Sequence, residues 1–211
     1  YYHLTVVGGT AAPTNSYDGK TYVKAGIEIT LTPTVPAGYE IVQWNVSGAD
    51  VTVNGNKFTM PGKAITVTAQ FGPCSYGIDY ELNGGTIHSG NVTSYTYGQG
   101  VTLPTDVTKA GCTFAGWYDN ANYTGEPVTA ISNTEKENKI YWARWIIHVS
   151  TEAELNEALA AGETLIKLVA DFTLASTLDL SDKIVTLDLN GHTLTGNIKL
   201  EDTSAAPKSI L

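Results

Sequence analysis

The stretch Gly111-Cys-Thr-Phe-Ala-Gly-Trp117 decides the fold, because the chain contains a second version of it, Gly38-Tyr-Glu-Ile-Val-Gln-Trp44. Two further motifs recur in the same order: Gly8-Gly9-Thr10 returns as Gly84-Gly85-Thr86, and Ala69-Gln-Phe71 returns as Ala143-Arg-Trp145. Three motifs repeated in one order predict two diverged copies of a small module rather than one large catalytic domain.

The repeat divides the chain of 211 residues into three parts. We predict a first domain at residues 1–72, a second at residues 73–146 and a third segment at residues 147–211. Domains of about 75 residues bury only about 60% of their unfolded surface, so we expect each copy to depend on a few large aromatic side chains or on a neighbour.

Short strands with many turns fill both copies. Glycine is frequent at 21 residues, and methionine occurs once. Asn54-Gly55 between apolar positions predicts a tight turn, because both residues accept positive φ. The predicted strands cover residues 2–7, 27–31, 40–46 and 64–71 in the first copy, and residues 76–82, 94–103, 113–118 and 140–147 in the second.

The third segment begins differently. Thr151-Glu-Ala-Glu154 is a capping box, in which the hydroxyl and the carboxylate bind free amides at the start of a helix. Leu155, Ala158 and Leu159 form an apolar stripe at helical spacing, and Gly162 is a natural end for the helix.

Short apolar runs then follow at intervals of roughly 11 to 19 residues, a pattern typical of successive rungs of a solenoid. The chain stops as one of these runs begins, so we expect it to be a fragment of a longer protein. The runs are Ile166-Lys-Leu168, Val185-Thr-Leu187, Ile198-Lys-Leu200 and Ser209-Ile-Leu211.

The second copy resembles the Listeria/Bacteroides-type repeat, the B repeat of internalin-like bacterial surface proteins. The motifs that carry this resemblance are Leu82-Asn-Gly-Gly-Thr86, Tyr97-Gly-Gln-Gly-Val-Thr-Leu-Pro104, Ala110-Gly-Cys-Thr-Phe-Ala-Gly-Trp-Tyr118 and Ile140-Tyr-Trp-Ala-Arg-Trp145. Cys112 stands where the family usually has tyrosine.

The first copy resembles the divergent relative of that repeat, through Gly38-Tyr-Glu-Ile-Val-Gln-Trp44, Phe58-Thr-Met-Pro61 and Val67-Thr-Ala-Gln-Phe71. The third segment, with Val149 to Leu159 and Thr186 to Leu194, resembles the start of a right-handed parallel β-helix of the pectate-lyase-like kind. The resemblances imply a mainly β chain: two small β-grasp-like domains in tandem, then the helix-capped N-terminal rungs of a β-helix. They imply no catalytic residues.

Charge and hydropathy limit the partners. The net charge of −9 with only 12 scattered lysines and arginines argues against nucleic acid. No apolar run approaches the ~20 residues that span a bilayer, so we expect no membrane insertion in this segment. The family resemblance implies a secreted or cell-surface location in a bacterium, and we expect a monomer.

The two cysteines leave two alternatives open. In an exported protein, Cys74 and Cys112 could form a disulfide, and closing this loop would stabilise the fold by roughly 4 kcal/mol. The alternative is that they remain free, partly buried thiols. Sequence alone does not show whether their Cα atoms lie within ~7 Å.

The four tryptophans could either form an exposed platform that binds carbohydrate or pack in the hydrophobic core. Trp44 and Trp117 occupy matching positions in alternating strands, which favours core. On the last strand of the second copy, alternation places Tyr141, Ala143 and Trp145 on one face and Ile140, Trp142 and Arg144 on the other. Trp142 is therefore the candidate ligand-surface residue.

No catalytic motif, metal site or cofactor site is predicted. The histidines His3, His88, His148 and His192 lack the i, i+4 spacing of a zinc helix and are interpreted as surface or turn residues. Asp179, Asp182 and Asp188 on one solenoid face could hold calcium, but their spacing is ambiguous.

The leading hypothesis is a non-enzymatic surface segment that acts as a spacer or an adhesion module, with a host protein or a polysaccharide as its partner. The alternative is the N-terminal part of a polysaccharide-binding or polysaccharide-cleaving β-helix protein whose active rungs lie beyond Leu211. Short junctions at Gly72-Pro73 and residues 146–149 also favour a rigid stalk.

Overall fold

The structure, a computed structural model, describes residues 1–201. Within that range the chain is mainly β, with 22 strands and one helix. The predicted run at residues 209–211 lies outside the described residues.

Residues 1–74 contain β1 (Tyr2–Val7), β2 (Gly9–Ala12), β3 (Asn15–Tyr17), β4 (Lys20–Val23), β5 (Glu28–Pro33), β6 (Tyr39–Ser47), β7 (Lys57–Thr59) and β8 (Ile65–Pro73). Residues 75–149 contain β9 (Ser75–Glu81), β10 (Thr86–Ile87), β11 (Ser94–Thr96), β12 (Val101–Thr102), β13 (Val107–Thr108), β14 (Cys112–Tyr118), β15 (Ala130–Ile131) and β16 (Lys139–Val149). Residues 150–201 contain helix α1 (Glu152–Ala160) and strands β17 (Leu165–Leu168), β18 (Phe172–Thr173), β19 (Leu178–Asp179), β20 (Thr186–Asp188), β21 (Leu194–Thr195) and β22 (Ile198–Lys199).

The chain forms two compact units. Unit 1 consists of residues 1–76, 94–100 and 132–137, and the described part of unit 2 consists of residues 77–93, 101–131 and 138–201. Unit 1 therefore includes two short stretches of the second copy; Tyr97 of one of them packs edge-on against Tyr39, with ring centroids 5.5 Å apart.

Two sheets enclose the core of unit 1. The larger sheet has the strand order β3-β4-β1-β8-β6, with β1 and β8 parallel, and the smaller has the order β2-β5-β7. Because side chains alternate along a strand, one face of each sheet turns inward. The buried core residues are Leu4, Val23, Ile29, Leu31, Trp44, Phe58, Met60, Ile65 and Val67.

Strands β2, β3 and β4 are absent from the sequence-based strand prediction. All three residues of β3 are exposed, so β3 offers no apolar alternation to read. The hairpin that joins β3 to β4 turns at Asp18 and Gly19, with φ values of 49° and 68°, between the paired residues Tyr17 and Lys20. An Asp-Gly dipeptide is a signal for this turn.

Strand β16 organises unit 2. Trp142 pairs with Tyr118 of β14 on one edge and with Glu81 of β9 on the other. Ile147 pairs with Cys112 of β14 and with Ile166 of β17. One edge of β16 is therefore occupied by β14, and the other edge by β9 and then by β17, both parallel to β16.

Parallel pairs continue after α1. Leu165 of β17 pairs with Thr186 of β20, Phe172 of β18 with Leu194 of β21, and Leu178 of β19 with Ile198 of β22. The chain thus returns alongside itself after 20 to 22 residues.

This register corrects one detail of the sequence analysis. The runs at residues 166–168 and 185–187 are neighbours, because Ile166 pairs with Leu187. The run at residues 198–200 instead pairs with β19, so it is not the next rung of the same ladder. An apolar run alone does not say which face of a coil it occupies.

The predicted capping box at the start of α1 is confirmed. Thr151 Oγ1 accepts a hydrogen bond from Glu154 N at 3.3 Å. The Glu154 carboxylate accepts from Ser150 N at 2.7 Å and from Ser150 Oγ at 2.8 Å, one residue before the cap. Leu155, Ala158 and Leu159 are buried, as their helical spacing predicted.

The recurring Gly-Gly pairs are explained by close approach to aromatic rings. A Cβ added to Gly9 would lie 2.8 Å from Trp44 Cη2, and one added to Gly85 would overlap the Trp145 ring. The Trp145 ring is fixed there because its Nε1 donates to Leu82 O at 3.0 Å. The second glycine of each pair therefore has no room for a side chain.

Replacement of Gly85 by alanine should destabilise unit 2 by about 1 to 3 kcal/mol, because the added methyl group forces the Trp145 ring out of a packed core. Urea unfolding followed by tryptophan fluorescence measures this loss. Gly77→Ala is the matched control, because its added Cβ meets its nearest neighbour, Asn138 Oδ1, at 3.6 Å. Equal stability of Gly85→Ala and wild type would contradict the packing argument.

Replacement of Glu154 by glutamine should lower the thermal midpoint at pH 7, and the difference between the two proteins should shrink as the pH is lowered. Hydrogen bonds from the Ser150 amide and hydroxyl lower the pKa of the Glu154 carboxyl. A carboxyl whose pKa is lower in the folded state stabilises the fold above its unfolded pKa, and this contribution disappears as the pH falls through the folded pKa. A gap between the two proteins that persists at low pH would show that the carboxylate charge is not its cause.

Candidate functional site

The tryptophans lie on the strand faces that the alternation of the sequence predicted. Trp44 is 7% exposed, Trp117 is 2% exposed and Trp145 is 4% exposed, which confirms the core interpretation for the first two. Trp142 is half-buried on the opposite face of β16, where its neighbour Ile140 is 45% exposed.

Arg144 and two tyrosines occupy the same face of β16 as Trp142. The Arg144 guanidinium carbon lies 5.4 Å from the ring centroids of Tyr118 and Tyr123, within the range of a cation–π contact. Its terminal nitrogens donate to Tyr118 Oη and Thr164 Oγ1, both at 3.4 Å. These contacts lie within unit 2, so part of the Trp142 face is already covered by the chain's own side chains.

Both cysteines are half-buried free thiols. Cys112 Sγ donates to Ala110 O at 3.4 Å, and burial raises the pKa of the thiol. Cys112 also lines a cleft of about 360 Å³ with His148 and Glu163. The pairing of Cys74 with Cys112 stays a prediction.

The predicted turn histidines each contact a nearby polar side chain or ring. His88 Nε2 lies 2.6 Å from Thr108 Oγ1, His148 Nε2 lies 2.8 Å from Thr113 Oγ1, and His192 Nδ1 lies 3.1 Å from Asp171 Oδ1. His3 packs against the Tyr22 ring with centroids 5.6 Å apart.

The three aspartates proposed for calcium do not form a shared site. Asp179 Oδ1 accepts from Ser181 N at 2.9 Å, and Asp188 Oδ1 accepts from Asn190 N at 2.8 Å. Each of these two carboxylates stabilises its own turn. Among residues 1–201, no three histidine, cysteine or carboxylate side chains are grouped to hold a metal ion.

The end of β16 joins the second copy to the segment that follows it. His148 N donates to Gly111 O at 2.9 Å, just before β14, and Val169 N donates to Val149 O at 2.9 Å, just after β17. The last residues of β16 are thus hydrogen-bonded to both parts of unit 2 at once.

The outer face of the larger sheet in unit 1 is a second candidate site, which sequence reasoning missed. His3 pairs with Tyr22, and Tyr22 pairs with Asn15, so these side chains share a face. Tyr1 and Tyr17 lie two residues from His3 and Asn15 and join the same face. Tyr1, Asn15, Tyr17 and Tyr22 line an open groove of about 560 Å³, here called the tyrosine groove.

The outer face continues across β8 and β6 with uncharged polar side chains. Gln43 Nε2 donates to Gln70 Oε1 at 2.9 Å and to Asn45 Oδ1 at 3.0 Å, and Asn45 Nδ2 donates to Gln70 Oε1 at 3.2 Å. The register places Thr66 and Thr68 between this amide cluster and β1.

No helix within residues 1–201 is both long enough and apolar enough to cross a bilayer.

Comparison with known proteins agrees with the repeated architecture. One similar protein, from Evansella cellulosilytica, bears the name Gly-rich membrane protein and is 31% identical over 120 residues. The aligned region is 56% of this chain and 14% of that relative, so the chain spans a small part of its length.

Two family models match the chain, one after the other. The model described as the divergent InlB B-repeat domain covers residues 2–74, and the model described as the Listeria-Bacteroides repeat domain covers residues 76–143. With its two matching Gly-to-Trp strands and Gly-Gly pairs, the chain contains a divergent InlB B-repeat domain followed in tandem by a Listeria-Bacteroides repeat domain.

Proposed function

We propose that this chain is a non-enzymatic spacer segment of a larger bacterial surface protein. Its two repeat domains are of the surface-protein type, and a relative is named as a membrane protein; both findings favour a location in the cell envelope. In this role the chain holds neighbouring parts of the protein in a fixed arrangement, and its folded modules are the functional product.

The proposed organisation has three parts. Residues 1–72 and 73–146 form small β-grasp-like domains, and residues 147–211 begin a right-handed β-helix capped by α1. The parallel pairs spaced by 20 to 22 residues support the β-helix interpretation, because one coil of a solenoid returns each strand beside its predecessor.

The continuity of β16 carries the spacer proposal. This strand runs through the predicted boundary at residue 146 without a break, from Lys139 to Val149. A flexible linker would leave its backbone groups to water, whereas residues 147 and 148 of β16 are paired on both sides and Val149 is paired with β17. The second repeat and the following coils therefore have no hinge between them.

Insertion of Gly-Ser-Gly-Ser between Ile146 and Ile147 should separate one unfolding transition into two. In the wild-type chain, amides of the second repeat and of residues 165–168 should lose hydrogen-exchange protection together as urea is raised, because both depend on β16. In the insertion variant, residues 165–168 should exchange at lower urea than the repeat.

The same insertion after Gly125, in the exposed stretch between β14 and β15, is the control and should leave the second repeat and residues 165–168 losing protection together. Loss of protection in the second repeat and in residues 165–168 at different urea concentrations in the wild-type chain would reject the rigid joint.

Exposure at the cell surface is tested separately. Protease added to intact cells of the source bacterium should remove the epitopes of this chain while a cytoplasmic marker stays intact. Protection of the chain until the cells are lysed would reject the surface assignment.

A further inference from the structure

We propose that the outer face of the larger sheet in unit 1 binds a neutral oligosaccharide, with the tyrosine groove as its main contact. This inference rests on the chemistry of that face and is independent of the β16 joint.

Two of the three tyrosine rings that line the groove are exposed, and Tyr22 is half-buried. Tyr17 is 77% exposed and Tyr1 is 74% exposed, although a tyrosine ring is a large apolar surface that folding normally covers. Leu4 and Val23, on the opposite face of β1 and β4, are 1% and 2% exposed and already supply the core. The tyrosines are therefore available to a ligand, and flat rings suit the C–H faces of pyranose units.

The size and polar groups of the groove fit such a ligand. Its volume of about 560 Å³ lies within the range of small-molecule sites, about 300 to 1,000 Å³. The Asn15 amide and the tyrosine hydroxyls both donate and accept hydrogen bonds. Sugar hydroxyls do the same, whereas a polyproline segment offers only acceptors.

Beyond the groove, the same sheet face carries further uncharged polar side chains. The amide cluster of Gln43, Asn45 and Gln70 adds further groups that both donate and accept, on β6 and β8 of the same sheet, toward the Val7 end of β1. A ligand of several sugar units could contact both areas along one sheet face, whereas a single small molecule could contact only one.

The charge of the face indicates a neutral ligand. The side chains that line the groove and form the amide cluster carry no full charge, and Lys20, which pairs with Tyr17, adds one positive charge beside the groove. The whole chain has a net charge of −9, which repels acidic polysaccharides. Because the side chains that line the groove are uncharged, the groove suits a neutral ligand better than a highly charged one.

Isothermal titration of the full chain with cellohexaose, maltohexaose and chitohexaose tests the proposal. We expect saturable binding of at least one of them, weakened about tenfold or more by Tyr17→Ala, a loss of about 1.4 kcal/mol. Tyr17→Phe, which keeps the ring, should retain most of the affinity. Because Tyr17 is exposed, its truncation should leave the thermal midpoint unchanged.

Ile184→Ala in unit 2, where the side chain is 72% exposed, is the control for loss of an exposed apolar side chain elsewhere and should bind like wild type. Decaproline and an oligogalacturonate are the alternative probes. Binding of either probe in place of the neutral sugars, affinity insensitive to Tyr17→Ala, or no binding tighter than about 10 mM would overturn the proposal. The spacer proposal would survive each of these results, since it depends on unfolding behaviour and not on a ligand.

Discussion

The backbone hydrogen bonds along both edges of β16 hold unit 2 together. Its eleven residues pair with β14 on one side and with β9 and β17 on the other. A strand edge without a partner exposes unsatisfied amide and carbonyl groups, which is costly when buried. By pairing with three neighbouring strands, β16 fixes the register of the repeat and the direction of the parallel strands that follow it.

The core of each copy was predictable because its signals are local. Gly-Gly pairs, strand alternation and matching tryptophans each reflect one packing requirement, and the structure buries Trp44 and Trp117 accordingly. The helix cap was predictable for the same reason. Strand β3 was not, since its residues are all exposed and only the Asp18-Gly19 turn marks it.

Long-range pairing limited the rest. The predicted strand at residues 94–103 is two strands, β11 and β12, interrupted by Gly98 and Gly100 at positive φ. The tyrosine groove also depends on pairing, because only the registers of β1, β3 and β4 bring Tyr17 and Tyr22 to one face. Alternation within a single strand indicates Trp142 as the ligand-surface residue. It does not show that Arg144 and two tyrosines cover part of that face.

The double pairing of β16 has a consequence for tension. If the parent protein is pulled along its length, the load passes from the second repeat to the following coils through a single covalent strand. Hydrogen bonds on both edges of residues 147 and 148 then resist together instead of opening one at a time. A joint of this kind should yield only when several bonds break at once, so it transmits force without first stretching.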